Sequence, residues 1–287
     1  MTAVLFGILA GFFFGVLSIA IQVGLRRGAD PEAGALVTAG AGFVLAAAAA
    51  LIEWGDVHPG DLWPFFAVGL LVPGLSQILF IKSVRDAGPA RASILVGTAP
   101  LMSVLIAVTL LDEPWKPELF AGTLLVVAGG AVLTRERVRP QHFRAIGAAL
   151  ALVCAALFAC RDNLVRLAAR EHHPPPLVAA ATSLLAAAIG VALYLVLFGR
   201  PGLARKLRGA GPAFWPAGVA VGLAYSCLLV AFSHGRVSVV APLNATQSMW
   251  AVLLSALLLH RTEVVGRKVV LACVLVVAGG AVIGAVR

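Results

Sequence analysis

Arg161-Asp162-Asn163 closes an apolar run, Ala145 to Cys160, of sixteen uncharged residues. That run falls just short of the roughly 17 residues a membrane span needs, so its helix is expected to continue through Arg161 and Asp162. Ionisable groups at membrane depth are costly and mark ion or substrate paths. There Asp162 could carry a coupling proton or meet a substrate ammonium, and Arg161 could meet a carboxylate. The plainer alternative is an interfacial arginine that snorkels, with an Asp162–Arg166 pair one turn apart.

A second polar set lies in Val237 to Leu259, where Asn244, Gln247, Ser248 and Ser255 follow helical spacing as one stripe beside Trp250. Asn244 and Gln247 could hydrogen-bond a polar substrate, with Trp250 and Tyr225 as an aromatic wall. The alternative is a set of interhelical hydrogen bonds, which are common in membrane bundles. Gln77 and Ser76 follow Pro73-Gly74, and Pro100 and Pro242 interrupt later apolar runs. Proline removes a backbone donor and kinks a helix, so these positions are candidate gating hinges or ordinary membrane prolines. Gly7, Gly11 and Gly15 form a GxxxGxxxG face that suits close helix packing.

Other chemistry finds no support. The six histidines carry no HExxH, GxSxG, P-loop or dinucleotide pattern. The four cysteines, all in apolar stretches, suggest neither a metal site nor a disulfide framework. No cofactor is expected, and no enzymatic activity.

The elements that must carry these residues are transmembrane helices. With 61% hydrophobic and 12% charged residues, the 287-residue chain is far from a soluble composition. The net charge of +9 would suggest nucleic acid in a soluble protein, but its bases are scattered between apolar runs, so nucleic acid is excluded as a partner. Ten stretches reach span length. They are Val4 to Val23, Ala33 to Ile52, Leu62 to Ile81, Ala92 to Leu111, Leu119 to Thr134, Ala145 to Leu167, Leu177 to Phe198, Phe214 to Phe232, Val237 to Leu259 and Val269 to Val286. The first, which lacks a basic leader and a cleavage motif, is read as mature structure. Of 22 basic residues, sixteen fall in the odd-numbered connections, which include Lys82, Ser83, Arg85, Arg205 and Lys206, and six on the other side. The positive-inside rule then puts the odd loops in the cytoplasm and both termini outside.

The chain is also a duplication. Leu125 to Val132 (LVVAGGAV) recurs as Leu275 to Val282, and the same shift places Glu113 on Glu263. Trp63-Pro64 similarly pairs with Trp215-Pro216. Division in the basic connection gives repeats over 1–138 and 139–287, each with five helices. An odd number inverts equivalent helices, the construction of alternating-access transporters. The expected fold is therefore an all-α membrane protein, ten helices in two inverted five-helix repeats.

This arrangement, with Pro100 in an apolar fourth helix ending near Glu113, resembles the EamA-type members of the drug/metabolite transporter superfamily. The second copy has Trp250 where the family often has the proline. The resemblance spans the chain and implies a secondary exporter of small polar metabolites such as amino acids, with a central cavity between the repeats. It also implies a bacterial inner membrane, a small-molecule substrate, the lipid bilayer as surroundings, and a monomer or homodimer. A multidrug exporter and a non-transporting sensor or scaffold are the alternatives. Small multidrug relatives couple to protons through a first-helix glutamate, whereas Val4 to Val23 has no acid. The resemblance implies cytoplasmic termini, against the charge count.

Overall fold

Helices are the only regular elements in the residues that the computed structural model describes: 2–110, 117–134, 144–198, 202–235, 237–259 and 266–285. Among the described residues, six segments are apolar and long enough to cross a bilayer: Thr2–Arg26, Pro31–Glu53, Pro59–Ala87, Ala145–Val165, Pro176–Phe198 and Leu203–His234. In chain order the α-helices are α1 (Thr2–Arg26), α2 (Pro31–Ala50), α3 (Trp63–Gly69), α4 (Ser76–Ala87), α5 (Pro89–Val96), α6 (Ala99–Leu110) and α7 (Pro117–Thr134). They continue as α8 (Ala145–Glu171), α9 (Pro176–Phe198), α10 (Leu203–His234), α11 (Val237–Ala245), α12 (Gln247–Leu258) and α13 (Arg267–Ala285).

Local chemistry sets the boundaries. Asp30 starts α2 by accepting hydrogen bonds from the amides of Glu32 (3.1 Å) and Ala33 (3.0 Å), with Pro31 fitting the first helical position. Gly88 ends α4 at φ +85°, a conformation that strains residues bearing a Cβ. Between α3 and α4, a π-helical turn over Leu70–Leu75 contains Val72 in an extended conformation (φ −139°, ψ 113°). Pro73 can donate no hydrogen bond there, and the Ser76 hydroxyl donates to its carbonyl at 3.3 Å. The Pro73-Gly74 break expected from the sequence is thus present.

Two further breaks revise the expected spans. Gly97-Thr98 separates α5 from α6, and Thr246 separates α11 from α12. At each, a threonine hydroxyl donates at 2.6 Å to a leucine carbonyl three residues back, Thr98 to Leu95 and Thr246 to Leu243. Asn244 therefore ends one helix while Gln247, Ser248 and Ser255 belong to the next, so they do not form one continuous stripe. The turns pair Thr98 with Thr246, two residues out of step with the octet spacing.

The packing is close because small residues line it. α1 and α2 lie along α10, α2 along α9, α4 along α8, and α7 along α13. A Cβ on Gly11 would sit 2.5 Å from Thr246 Oγ1, and one on Gly15 would sit 2.6 Å from Trp250 Cβ. The glycine face of α1 thus lies against the α11–α12 break. Gly129 meets Val276 and the Ala272 carbonyl, while Gly279 meets Gly122 and Val126, which brings the two repeated octets together.

Several bases expected in connections lie on helices that extend past the apolar runs. Lys82 and Arg85 are on α4, Arg91 on α5, and Arg205, Lys206 and Arg208 on α10. Lysine and arginine are good helix formers, so the charged ends continue the helices rather than stopping them. Ser83 is fully buried on α4 rather than exposed in a loop. Glu113, Glu263, Trp115, His142, His260 and most of the basic connection before Arg144 lie outside the described residues.

Candidate functional site

The two breaks in α5–α6 and α11–α12 converge on α8. The C-terminal end of α5 (Val96), the first turn of α6 (Ala99, Pro100), the end of α11 (Asn244, Ala245) and the start of α12 (Gln247) face Phe158, Arg161 and Asp162 around one small pocket. Its free volume is about 10 Å³. A cavity needs ~10–15 Å³ to hold one water, so the pocket is closed around its own side chains.

Those side chains are charged and buried, with Arg161 2% and Asp162 4% exposed. α8 continues for more than two turns beyond them, to Glu171, which draws both into the bundle rather than to its edge. Arg161 Nε donates to Asp162 Oδ1 at 2.9 Å, and Nη2 lies 2.8 Å from the same oxygen without a hydrogen-bonding angle. Nη1 donates to the Tyr225 hydroxyl at 3.3 Å. The guanidinium carbon stands 4.9 Å from the Phe158 ring centroid and 5.7 Å from that of Tyr225, within cation–π range. Tyr225 is itself held edge-on by Phe14 of α1. Arg161 and Asp162 are thus paired with each other, and Arg161 is buried in the bundle rather than snorkelling to its edge; the Arg166 side chain lies outside those described.

Among the described residues, two polar atoms at this pocket have no hydrogen-bond partner: Arg161 Nη2, a donor, and Asn244 Oδ1, an acceptor. Half-helix N-termini present amides and a partial positive charge, and C-termini present carbonyls and a negative one. Both kinds of end are within the lining, so the pocket can satisfy an anionic and a cationic group together.

The structure brings Arg161, Asp162, Tyr225, Asn244, Gln247 and Pro100 to this site and leaves the other candidates elsewhere. Asn163 turns to α6, its amide nitrogen donating to Ser103 Oγ at 2.9 Å. Trp250 packs edge-on against Phe12, its Nε1 buried without a partner among the described residues. Gln77 is buried on α4, its Nε2 also without a partner among the described residues, and with Pro73 and Gly74 it belongs to the α3–α4 break. Pro242 lies within α11, near the break.

Sequence reasoning missed two features. Ser18 and Ser93 share a 2.8 Å hydrogen bond, and Ser248 donates at 2.8 Å to the Ser93 carbonyl, joining α1, α5 and α12 beside the pocket. The matched threonines of Leu95-Val96-Gly97-Thr98 and Leu243-Asn244-Ala245-Thr246 were the available signal for the breaks. A larger apolar cavity of about 290 Å³ lies between α3 and α8, with Trp63, Leu71, Leu164 and Leu167 in its wall. At its rim, His172 Nδ1 meets Asp61 Oδ1 at 3.0 Å.

The sequence matches the family described as the EamA-like transporter family twice, over residues 1–135 and 145–285. No curated protein matches it. Several solved structures are similar, among them a crystal structure at 24% identity with a TM-score of 0.71, covering 98% of this chain and 96% of that one. At that identity the likeness concerns the fold.

Proposed function

Since the chain belongs to the EamA-like transporter family, we propose that it is a secondary active exporter of small polar metabolites, with amino acids as its substrate class, working by alternating access. The observation that carries this reading is the closed polar pocket where two broken helices meet the Arg161–Asp162 pair. Discontinuous helices that meet polar groups at a repeat interface are where such carriers bind substrate. A pocket with room for about one water admits a solute only when the helix halves around it separate, so Gly97-Thr98 and Thr246 act as hinges, with Pro100 and Pro242 beside them. Arg161, Asp162, Asn244 and Gln247 contact the substrate, and Tyr225 positions Arg161. The α3–α4 break at Pro73-Gly74 is a further hinge, with Gln77 on the entry path, and Asn163 and Trp250 brace α6 and α1.

In this reading the ten apolar stretches cross a bacterial inner membrane as two inverted repeats, 1–138 and 139–287. The protein acts as a monomer, with its termini outside. Counterflow in proteoliposomes loaded with labelled amino acids tests the proposal. Saturable exchange supports a carrier, whereas flux that never saturates indicates a channel, and no exchange removes the claim. Export of hydrophobic compounds is the second reading, favoured by the apolar cavity between α3 and α8. Competition of amino-acid counterflow by lipophilic cations would support it.

A further inference from the structure

A buried charge without a counter-charge is strongly disfavoured, and an arginine guanidinium does not give up its proton. Whatever enters the pocket must therefore leave it neutral. In the closed state the balance is internal, because Arg161 and Asp162 neutralise each other at 2.8 Å. From this geometry, and resting on the pocket's being the substrate site proposed above, we infer that the pocket selects solutes by charge balance. A zwitterion enters unaided, a monocarboxylate enters with one proton on Asp162, and an amine lacking a carboxylate is excluded.

The donor and acceptor positions give each case its chemistry. The carboxylate of a zwitterion takes Arg161 Nη2, the donor without a hydrogen-bond partner, and its ammonium takes Asp162 and the unpartnered Asn244 Oδ1. One ion pair becomes two and the sum stays zero. A monocarboxylate claims the same guanidinium and leaves Asp162 as a second anion beside a single cation. One proton from the aqueous phase then adds to an Asp162 carboxylate oxygen, and the neutral acid can donate a hydrogen bond to the bound carboxylate. An amine competes with Arg161 for Asp162, leaving two cations and one anion. Phe158 and Tyr225 soften that excess through their ring faces but cannot cancel it. Among the described groups, Arg161 on α8 and Tyr225 on α10 are the titratable ones facing Asp162. Every lining residue from α5, α6, α11 and α12 is uncharged.

The test uses the full chain in proteoliposomes with labelled alanine, threonine, leucine and phenylalanine. Any amino acid that exchanges is then competed with its N-acetyl derivative and its decarboxylated amine, at about pH 6 and about pH 7.5 on both sides. One-proton linkage predicts that the N-acetyl derivative competes better at the lower pH, by up to about tenfold per unit. The zwitterion should change less than about twofold, and the amine should not compete at about a hundredfold excess. Asp162→Asn should abolish the pH dependence of the N-acetyl derivative. If that variant does not fold, the wild-type series decides alone. Competition by the amine as strong as by the amino acid, or by the N-acetyl derivative equally at both pH values, overturns the inference while the carrier function stands. No exchange of any of the four amino acids overturns the functional reading and the inference with it.

Discussion

At the scale of single residues, the Arg161–Asp162 pair has a different energetic signature from an ordinary surface ion pair. Removing one partner of a buried pair leaves an uncompensated charge and costs about 3–5 kcal/mol, whereas replacing both with apolar groups of similar size can be neutral. Arg161→Met should therefore lower the melting temperature sharply, and Arg161→Met combined with Asp162→Leu should recover most of the loss without restoring transport. Thermal unfolding in detergent checks both, and a double variant as unstable as the single one would contradict a charge-pair origin. Asp30 offers the contrasting case in a connection. Burial alone raises its pKa, but hydrogen bonds from the Ala33 and Glu32 amides and the Lys206 ammonium, 3.1 Å away, outweigh this and hold it below the ordinary aspartate value. A depressed folded pKa stabilises above the unfolded value and loses that contribution as pH falls through it. Asp30→Ala should cost about 1 kcal/mol near neutrality, a gap that closes below about pH 4; a gap constant with pH would contradict the cap.

At the scale of elements, the glycines of α1 pack most closely at the α11–α12 break. α1 has no room for side chains where its glycines meet α11 and α12, so Gly11→Val should separate those helices and abolish exchange. Gly40 in α2, with nothing within 4 Å of an added Cβ, should accept alanine without loss. If Gly11→Val transported normally, the contact would not matter. Gly97→Ala should act like Gly11→Val, because its Cβ would collide with Ser248 Oγ. This is also the scale at which sequence reading was least complete. Apolar length located the helices, and Pro73-Gly74 located one break, because proline cannot donate to the helix. The breaks at Thr98 and Thr246 escaped because a threonine that bonds back to its own turn looks, in one dimension, like any polar residue in a span. Hence Asn244 and Gln247 share one helical spacing in the sequence although they end one helix and begin another. The polar residues that meet at the pocket were identifiable by type at membrane depth. Asn163 and Trp250 shared that type but face α6 and α1, a choice set by rotation about the helix axis.

For the whole molecule, the duplicated octets pack α7 on α13, and the proposed sense of insertion rests on the 16-to-6 distribution of basic residues. Ala204→Cys and His173→Cys, both at exposed positions, test that sense in intact cells. A membrane-impermeant maleimide should label His173→Cys and leave Ala204→Cys untouched, and the opposite pattern would reverse the orientation. In the proposed mechanism, one pocket at the crossing of the broken helices opens to each side in turn. Ala245→Cys, placed in that pocket with the four native cysteines replaced, tests it in right-side-out and inside-out vesicles. Modification is expected from both sides, slowed on both by a transported amino acid. Modification from one side only, or without protection by any amino acid, would contradict it.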